Sequence, residues 1–257
     1  MNRTVTTTPM DLGDIVSAAW FLCVRRWQPL LCMALASALA SLGVYAGLLS
    51  LVQRAPAQAG PTAGNQPLPL ALAPLLIAGI LLDRFNQLAL MGYSLVTWTG
   101  REASVLRCYV QAVRVFWPVL LTLVISGLTM VAGIFSLFGI PVAVYFLVGW
   151  FFTGQVCLAE GPCGPIQALK RSRSLVRGIW WRTAAVLAGI TLLGFLPSLL
   201  VSQLTSSTTL RALFLSALAA AVAAPFSAAA QTILYLDLRI RKHEPFTGAP
   251  GEPAKPV

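Results

Sequence analysis

Apolar residues dominate six long stretches of this chain, at about 28–53, 68–98, 117–136, 141–158, 183–203 and 209–236. A helix needs about 20 apolar residues to cross a hydrocarbon core of about 30 Å. Each stretch therefore predicts a transmembrane helix, and the six together predict an all-α integral membrane protein. The segments between them are short, and two carry helical periodicity of their own. In TTPMDLGDIV, Thr8, Pro9 and Asp11 resemble a capping box with proline at the first helical position, and Leu12, Ile15, Val16, Ala19 and Cys23 follow at helical spacing. This predicts an amphipathic helix over 9–26.

The second polar segment, GPIQALKRSRSLVRGIWWR, places Ile166, Leu169, Val176, Ile179 and Trp180 on one helical face. Lys170, Arg173 and Arg177 form a stripe on one side of it, and Arg171 and Arg182 a stripe on the other. An apolar face flanked by cations predicts a helix over 165–182 lying in the membrane plane, with its apolar side in the acyl boundary and its cations at the phosphates. A weak repeat runs through AWFLCVRRWQPLL, AVRVFWPVLL and SLVRGIWWRTAAVL, each with Arg, then Trp, then an apolar run. Either three units of one surface helix and two spans, or recurrent membrane-edge chemistry, accounts for it.

Composition narrows the class. The 257 residues are 57% hydrophobic and 10% charged, with a net charge of +10, whereas soluble domains carry roughly 25% charged residues. The cations lie between apolar runs, so they speak for membrane topology and an anionic lipid surface, not nucleic acid. With the N-terminus in the cytoplasm, fifteen cations fall inside: Arg3, Arg25, Arg26, Arg101, Arg107, Arg114, Lys170, Arg171, Arg173, Arg177, Arg182, Arg239, Arg241, Lys242 and Lys255. Only Arg54 and Arg211 fall outside, and Arg84 falls within a span. That bias predicts that both termini are cytoplasmic. Residues 1–242 form one polytopic domain in this reading, and 243–257 a disordered cytoplasmic tail. The five cysteines, Cys23, Cys32, Cys108, Cys157 and Cys163, lack metal-site spacing. They are expected to be unpaired thiols, and no metal or cofactor is expected.

Three groups of residues are candidates for function. Lys170, Arg171, Arg173, Arg177, Arg182, Trp180 and Trp181 would contact anionic headgroups or a membrane-protein partner, although topology alone also predicts cations there. Glu160 and Asp237 end the fourth and sixth spans at the depth of these cations. A Glu160–Arg171 or Asp237–Arg173 pair would pin the basic helix, with Arg239 a further structural partner. Asp83, Arg84, Asn86 and Gln87 interrupt the second span. They are a candidate intramembrane polar site for a small-solute transporter or channel, unless 68–82 alone crosses and the helix then runs on into water.

The stretch EGPCGPIQALKRSRSLVRGIWW, with Glu160, Ala168, Arg171, Ser172, Leu175, Val176 and Gly178, resembles a family of bacterial polytopic membrane proteins. The family is best known as the membrane domain found beside some glycerophosphodiester phosphodiesterases, and it also occurs alone. The tail ILYLDLRIRKHE, with Tyr235, Asp237 and Arg239, the GIP turn at 139–141 and the GRE at 100–102 are similar to it as well. The resemblance implies an all-helical module of the bacterial inner membrane without an established activity of its own, the hydrolysis belonging to an attached soluble domain. Such hydrolysis needs a histidine pair and metal-binding carboxylates. This chain has a single histidine, His243, so a non-enzymatic, stand-alone module is expected. No GxSxG elbow, Walker loop or HExxH occurs.

Overall fold

A computed structural model of the chain describes residues 9–58, 72–134, 139–161, 164–204 and 210–244. Among the described residues there are nine helices and no strand: α1 (Leu12–Arg25), α2 (Trp27–Gln58), α3 (Leu72–Trp98), α4 (Val105–Ile134), α5 (Gly139–Trp150), α6 (Thr153–Glu160), α7 (Pro165–Val176), α8 (Trp180–Leu204) and α9 (Leu210–Arg241). Six segments are long and apolar enough to cross a membrane: Trp27–Val44, Pro74–Trp98, Val105–Gly133, Gly139–Glu160, Trp180–Val201 and Phe214–Arg241. The protein is an all-α, multi-pass membrane protein. Most of the expected tail, 245–257, and residues 59–71 of the loop after the first span lie outside the described residues.

The spans form an up-and-down bundle in which α9 packs on α1, α2, α3 and α8, and α4 packs on α3, α5 and α6. The buried core is gathered at one end. It joins Ile15 and Leu22 of α1, Leu88–Leu95 of α3, Cys108–Val115 of α4, Phe152–Ala159, and Ala228–Leu238 of α9. At the other end large apolar side chains face outward on every span, among them Leu39, Leu76, Leu128, Leu192 and Leu218. That is what a lipid-facing surface requires, because acyl chains are as apolar as leucine.

Several boundaries differ from expectation, each for a local reason. The first helix starts at Leu12, with Asp11 as N-cap, so Pro9 precedes the helix. The Asp11 amide donates to Asp14 Oδ2 at 3.1 Å, completing the box one turn later than the Thr8–Pro9 pattern suggests. The polar residues before the third span do not form a separate surface helix; α4 runs unbroken from Val105 to Ile134, with Pro118 inside it. The first span likewise extends to Gln58. The fourth span breaks at Phe151–Phe152 into α5 and α6.

The helix expected over 165–182 is also divided. It stops at Val176, and Gly178 at φ 90° turns the chain so that Trp180 opens α8. A left-handed residue is cheap for glycine and costly for side chains with Cβ. Most of the apolar face of α7 is not free for lipid either, although Ile166 at its start stays exposed. Ala168, Leu169, Leu175 and Val176 are buried, with α7 packed on α4, α5 and α6.

Candidate functional site at the basic end

Both ends of the described chain meet at the core-rich end of the bundle. Asp237, on the last turns of α9, is fully buried at 0% exposure. Its Oδ1 accepts from the Met10 amide at 2.8 Å, and its Oδ2 accepts from Arg182 Nη1 and Arg241 Nε, each at 2.9 Å. Both guanidiniums then donate to the Met10 carbonyl, Arg241 Nη2 at 3.0 Å and Arg182 through its own Nη2. A buried carboxylate is tolerable only when paired and hydrogen-bonded. Here one carboxylate, two guanidiniums and one peptide unit satisfy each other and tie the N-terminal segment to α8 and α9. The Asp237–Arg173 pair raised by the sequence does not form. Arg173 sits on α7, and the break at Gly178 brings Arg182 to the carboxylate in its place.

A second node lies beside the first. Arg171 Nε donates to Glu160 Oε1 and Oε2 at 3.0 and 3.2 Å. Its terminal nitrogens donate to Glu244 in a bidentate contact. The Glu160–Arg171 pair thus links α6 to α7, as the sequence suggested. The sequence puts Glu244 in an expected disordered tail, but it belongs to the site. His243 adopts a left-handed conformation at φ 57°, a helix-ending geometry that folds the chain back, and the Glu244 amide donates to the Arg239 carbonyl at 3.0 Å. The hydrogen bond from Arg171 holds the Glu244 carboxyl below the usual range, and Glu244 in turn raises the proton affinity of Arg171. Arg239, 8% exposed on its side chain, approaches Glu160 Oε1 at 3.9 Å and donates to the Tyr235 hydroxyl at 3.4 Å.

The predicted cations therefore divide. Arg171 and Arg182 are held by carboxylates. Lys170, Arg173 and Arg177 are exposed, and no salt bridge reaches them among the described residues. Arg173 lies over the rings of Phe146 and Tyr145, 5.1 and 5.6 Å from their centroids, which steers its charge without consuming it. Trp180 stacks on Tyr145 and donates from Nε1 to the Tyr145 carbonyl at 3.2 Å, while Trp181 stands outward at 83% exposure. Ser172 fastens the same face by donating to the Gly149 carbonyl at 2.7 Å. Arg25, Arg26, Arg101, Arg107, Arg114 and Lys242 are exposed at this end as well, together with Trp20, Trp27 and Trp117.

The polar group on the second span separates too. Asn86 is buried and accepts from the Tyr109 hydroxyl at 2.7 Å, which joins α3 to α4. Gln87 accepts from Arg84 Nη1 at 3.3 Å. Asp83 and Arg84 point outward on an uninterrupted α3, away from the packed interior that a transport site between spans would use.

Among the described residues no three His, Cys, Asp or Glu gather where they could hold a metal ion. Cys23, Cys32, Cys108 and Cys157 are free thiols, and burial pushes that of Cys23 up to about 11, leaving it protonated at neutral pH. Comparison with family models, curated proteins and solved structures returns no match.

Proposed function

We propose that this protein is a non-enzymatic membrane module whose basic end engages the headgroups of anionic lipids. In this reading the basic end faces the cytoplasm of a bacterial inner membrane, in keeping with the positive-inside bias of fifteen cations against two. The observation that carries the reading is the division of labour among the cations. Arg171, Arg182, Arg239 and Arg241 contact Glu160, Asp237 and Glu244. Nine others, Arg25, Arg26, Arg101, Arg107, Arg114, Lys170, Arg173, Arg177 and Lys242, stay exposed at the same end, against exposed acids at Asp11, Asp14 and Glu102. Each cation near an anionic leaflet contributes on the order of 1 kcal/mol, and tryptophans beside them prefer the headgroup layer.

The resemblance to the membrane domain of the phosphodiesterase-associated family agrees with an all-helical membrane module that leaves hydrolysis to an attached domain. The test is native mass spectrometry of protein extracted with its lipids. The wild-type chain retains phosphatidylglycerol or cardiolipin. The triple variant Lys170→Gln, Arg173→Gln, Arg177→Gln retains markedly less while keeping its fold. Equal retention by both removes the reading.

A further inference from the structure

The carboxylates at the basic end are not held with equal permanence. Asp237 lies inside α9, fully buried, and accepts from one peptide amide and two guanidiniums. Glu244 follows α9, and its side chain is 39% exposed. Among the described residues its hydrogen bonds run to one guanidinium, that of Arg171, and from its amide to the Arg239 carbonyl. The turn that places it sets His243 at φ 57°, a conformation that costs a residue with a Cβ.

The group that Glu244 covers is prepared for an anion. Arg171 Nε donates to both oxygens of Glu160. That bond fixes the plane of the guanidinium and leaves its terminal nitrogens as a fork aimed at Glu244. Arginine grips carboxylates and phosphates alike through two parallel hydrogen bonds of this kind. Further charge converges on the same spot. The hydrogen bond from Arg171 leads in holding the Glu244 carboxyl below its usual range, and the charges of Arg239 and Lys242 act in the same direction. Lys242 is exposed, and its Nζ donates to the Arg177 carbonyl at 2.8 Å, which stands it beside the end of α7. Arg171 is itself 31% exposed, between the exposed Lys170 and Arg173 on the same helix.

We propose that Arg171 is a phosphate-binding subsite covered by the Glu244 carboxylate, so that the C-terminal segment and a phosphate group compete for one guanidinium. This rests on the reading of the basic end as a headgroup-binding surface and adds a regulated position to it. Lys170, Arg173 and Arg177 are open to phosphate at all times; Arg171 opens only when Glu244 leaves. A segment closed about nine-tenths of the time lowers the apparent affinity of the subsite about tenfold, since a ligand binds only the open fraction.

The test is calorimetric titration of the full chain in neutral detergent with phosphatidylglycerol and, separately, with inorganic phosphate. Glu244→Gln should bind about tenfold more tightly than the wild-type chain, because the competing carboxylate is gone and the fork remains. Glu102→Gln removes an equal charge from an exposed acid at the same end and should gain far less, because exposed charges at a distance are screened. Adding Arg171→Lys to Glu244→Gln keeps the charge but removes the fork, and should abolish most of the gain. A gain for phosphatidylglycerol alone assigns the subsite to a lipid headgroup; a gain for both probes assigns it to phosphate from either source. A Glu244→Gln chain that gains no more than Glu102→Gln overturns the proposal, as does a gain that survives Arg171→Lys. Failure of the headgroup reading itself looks different: the Lys170, Arg173 and Arg177 to Gln variant then retains lipid as well as the wild-type chain, whatever Glu244 does.

Discussion

The two ends of this bundle are built on different principles. At the basic end, side chains from α1, α3, α4, α6 and α9 interlock into a buried core, capped by carboxylates that each serve more than one donor. At the far end the same helices turn large apolar residues outward and share few buried contacts. Protein packing and ion pairing hold the first; the second is adapted to lipid as its solvent. A membrane protein can concentrate its specific structure in one layer, leaving the remainder of each span to satisfy only hydropathy and length.

Substitutions that strike the two ends differently break or sharpen this contrast. The largest effect is expected at Asp237. Asp237→Ala leaves two guanidiniums and the Met10 amide without their shared acceptor, and breaking such a buried network costs about 3–5 kcal/mol. Folded yield in mild detergent should collapse. Near-normal yield and melting would show that the node is not structural. Next comes a matched pair of truncations. Leu90→Ala in the buried core should cost about 2–5 kcal/mol. Leu128→Ala, 66% exposed at the far end, should fall within about 0.5 kcal/mol. Equal costs in a thermal-shift series would erase the distinction between the ends.

How much of this was legible beforehand follows from the physics of each feature. The six spans were, because length and hydropathy fix them. Glu160–Arg171 was, because both residues sit at one depth on neighbouring segments. The apolar face of α7 was visible as a face, but periodicity does not reveal whether lipid or protein covers it; protein covers all but Ile166 at its start. Arg182 stands on α8 and not on α7, because Gly178, which continues the helical pattern in sequence, turns the chain. The partnership of Asp237 with Met10 was out of reach, since a backbone amide carries no side-chain signature. Glu244 carries a weak signal in sequence, a carboxylate just beyond a basic helix end, but its closeness to Arg171 exists only in the fold.

Two smaller effects refine the basic end. Glu160→Arg should lower folded yield, and adding Arg171→Glu should restore part of it, because the pair is then rebuilt in reverse. The restoration is partial, since Glu244 and Arg239 also contact this node. No restoration would assign Glu160 to a different partner. The smallest effect concerns pH. The carboxyl of Glu244 is held down by Arg171, so the unfolded chain takes up its proton first as pH falls. The contact therefore contributes fully above the ordinary carboxylate range near 4.5 and is lost as pH drops through the lowered folded value. Glu244→Gln should flatten this part of the stability profile as pH falls below about 4.5. An unchanged slope would mean that the contact carries no stability.

The most direct measurement compares melting of the wild-type chain with that of the Lys170, Arg173 and Arg177 to Gln variant, each titrated with phosphatidylglycerol in neutral detergent. Both proteins should melt alike without lipid to within the roughly 1 kcal/mol that the stacking of Arg173 on Phe146 and Tyr145 contributes, because no salt bridge reaches the three cations among the described residues. Phosphatidylglycerol should then raise the melting temperature of the wild-type chain and leave that of the variant almost unmoved. If both rise equally, the exposed cations do not hold lipid; if the variant melts low without any lipid, they belong to the fold.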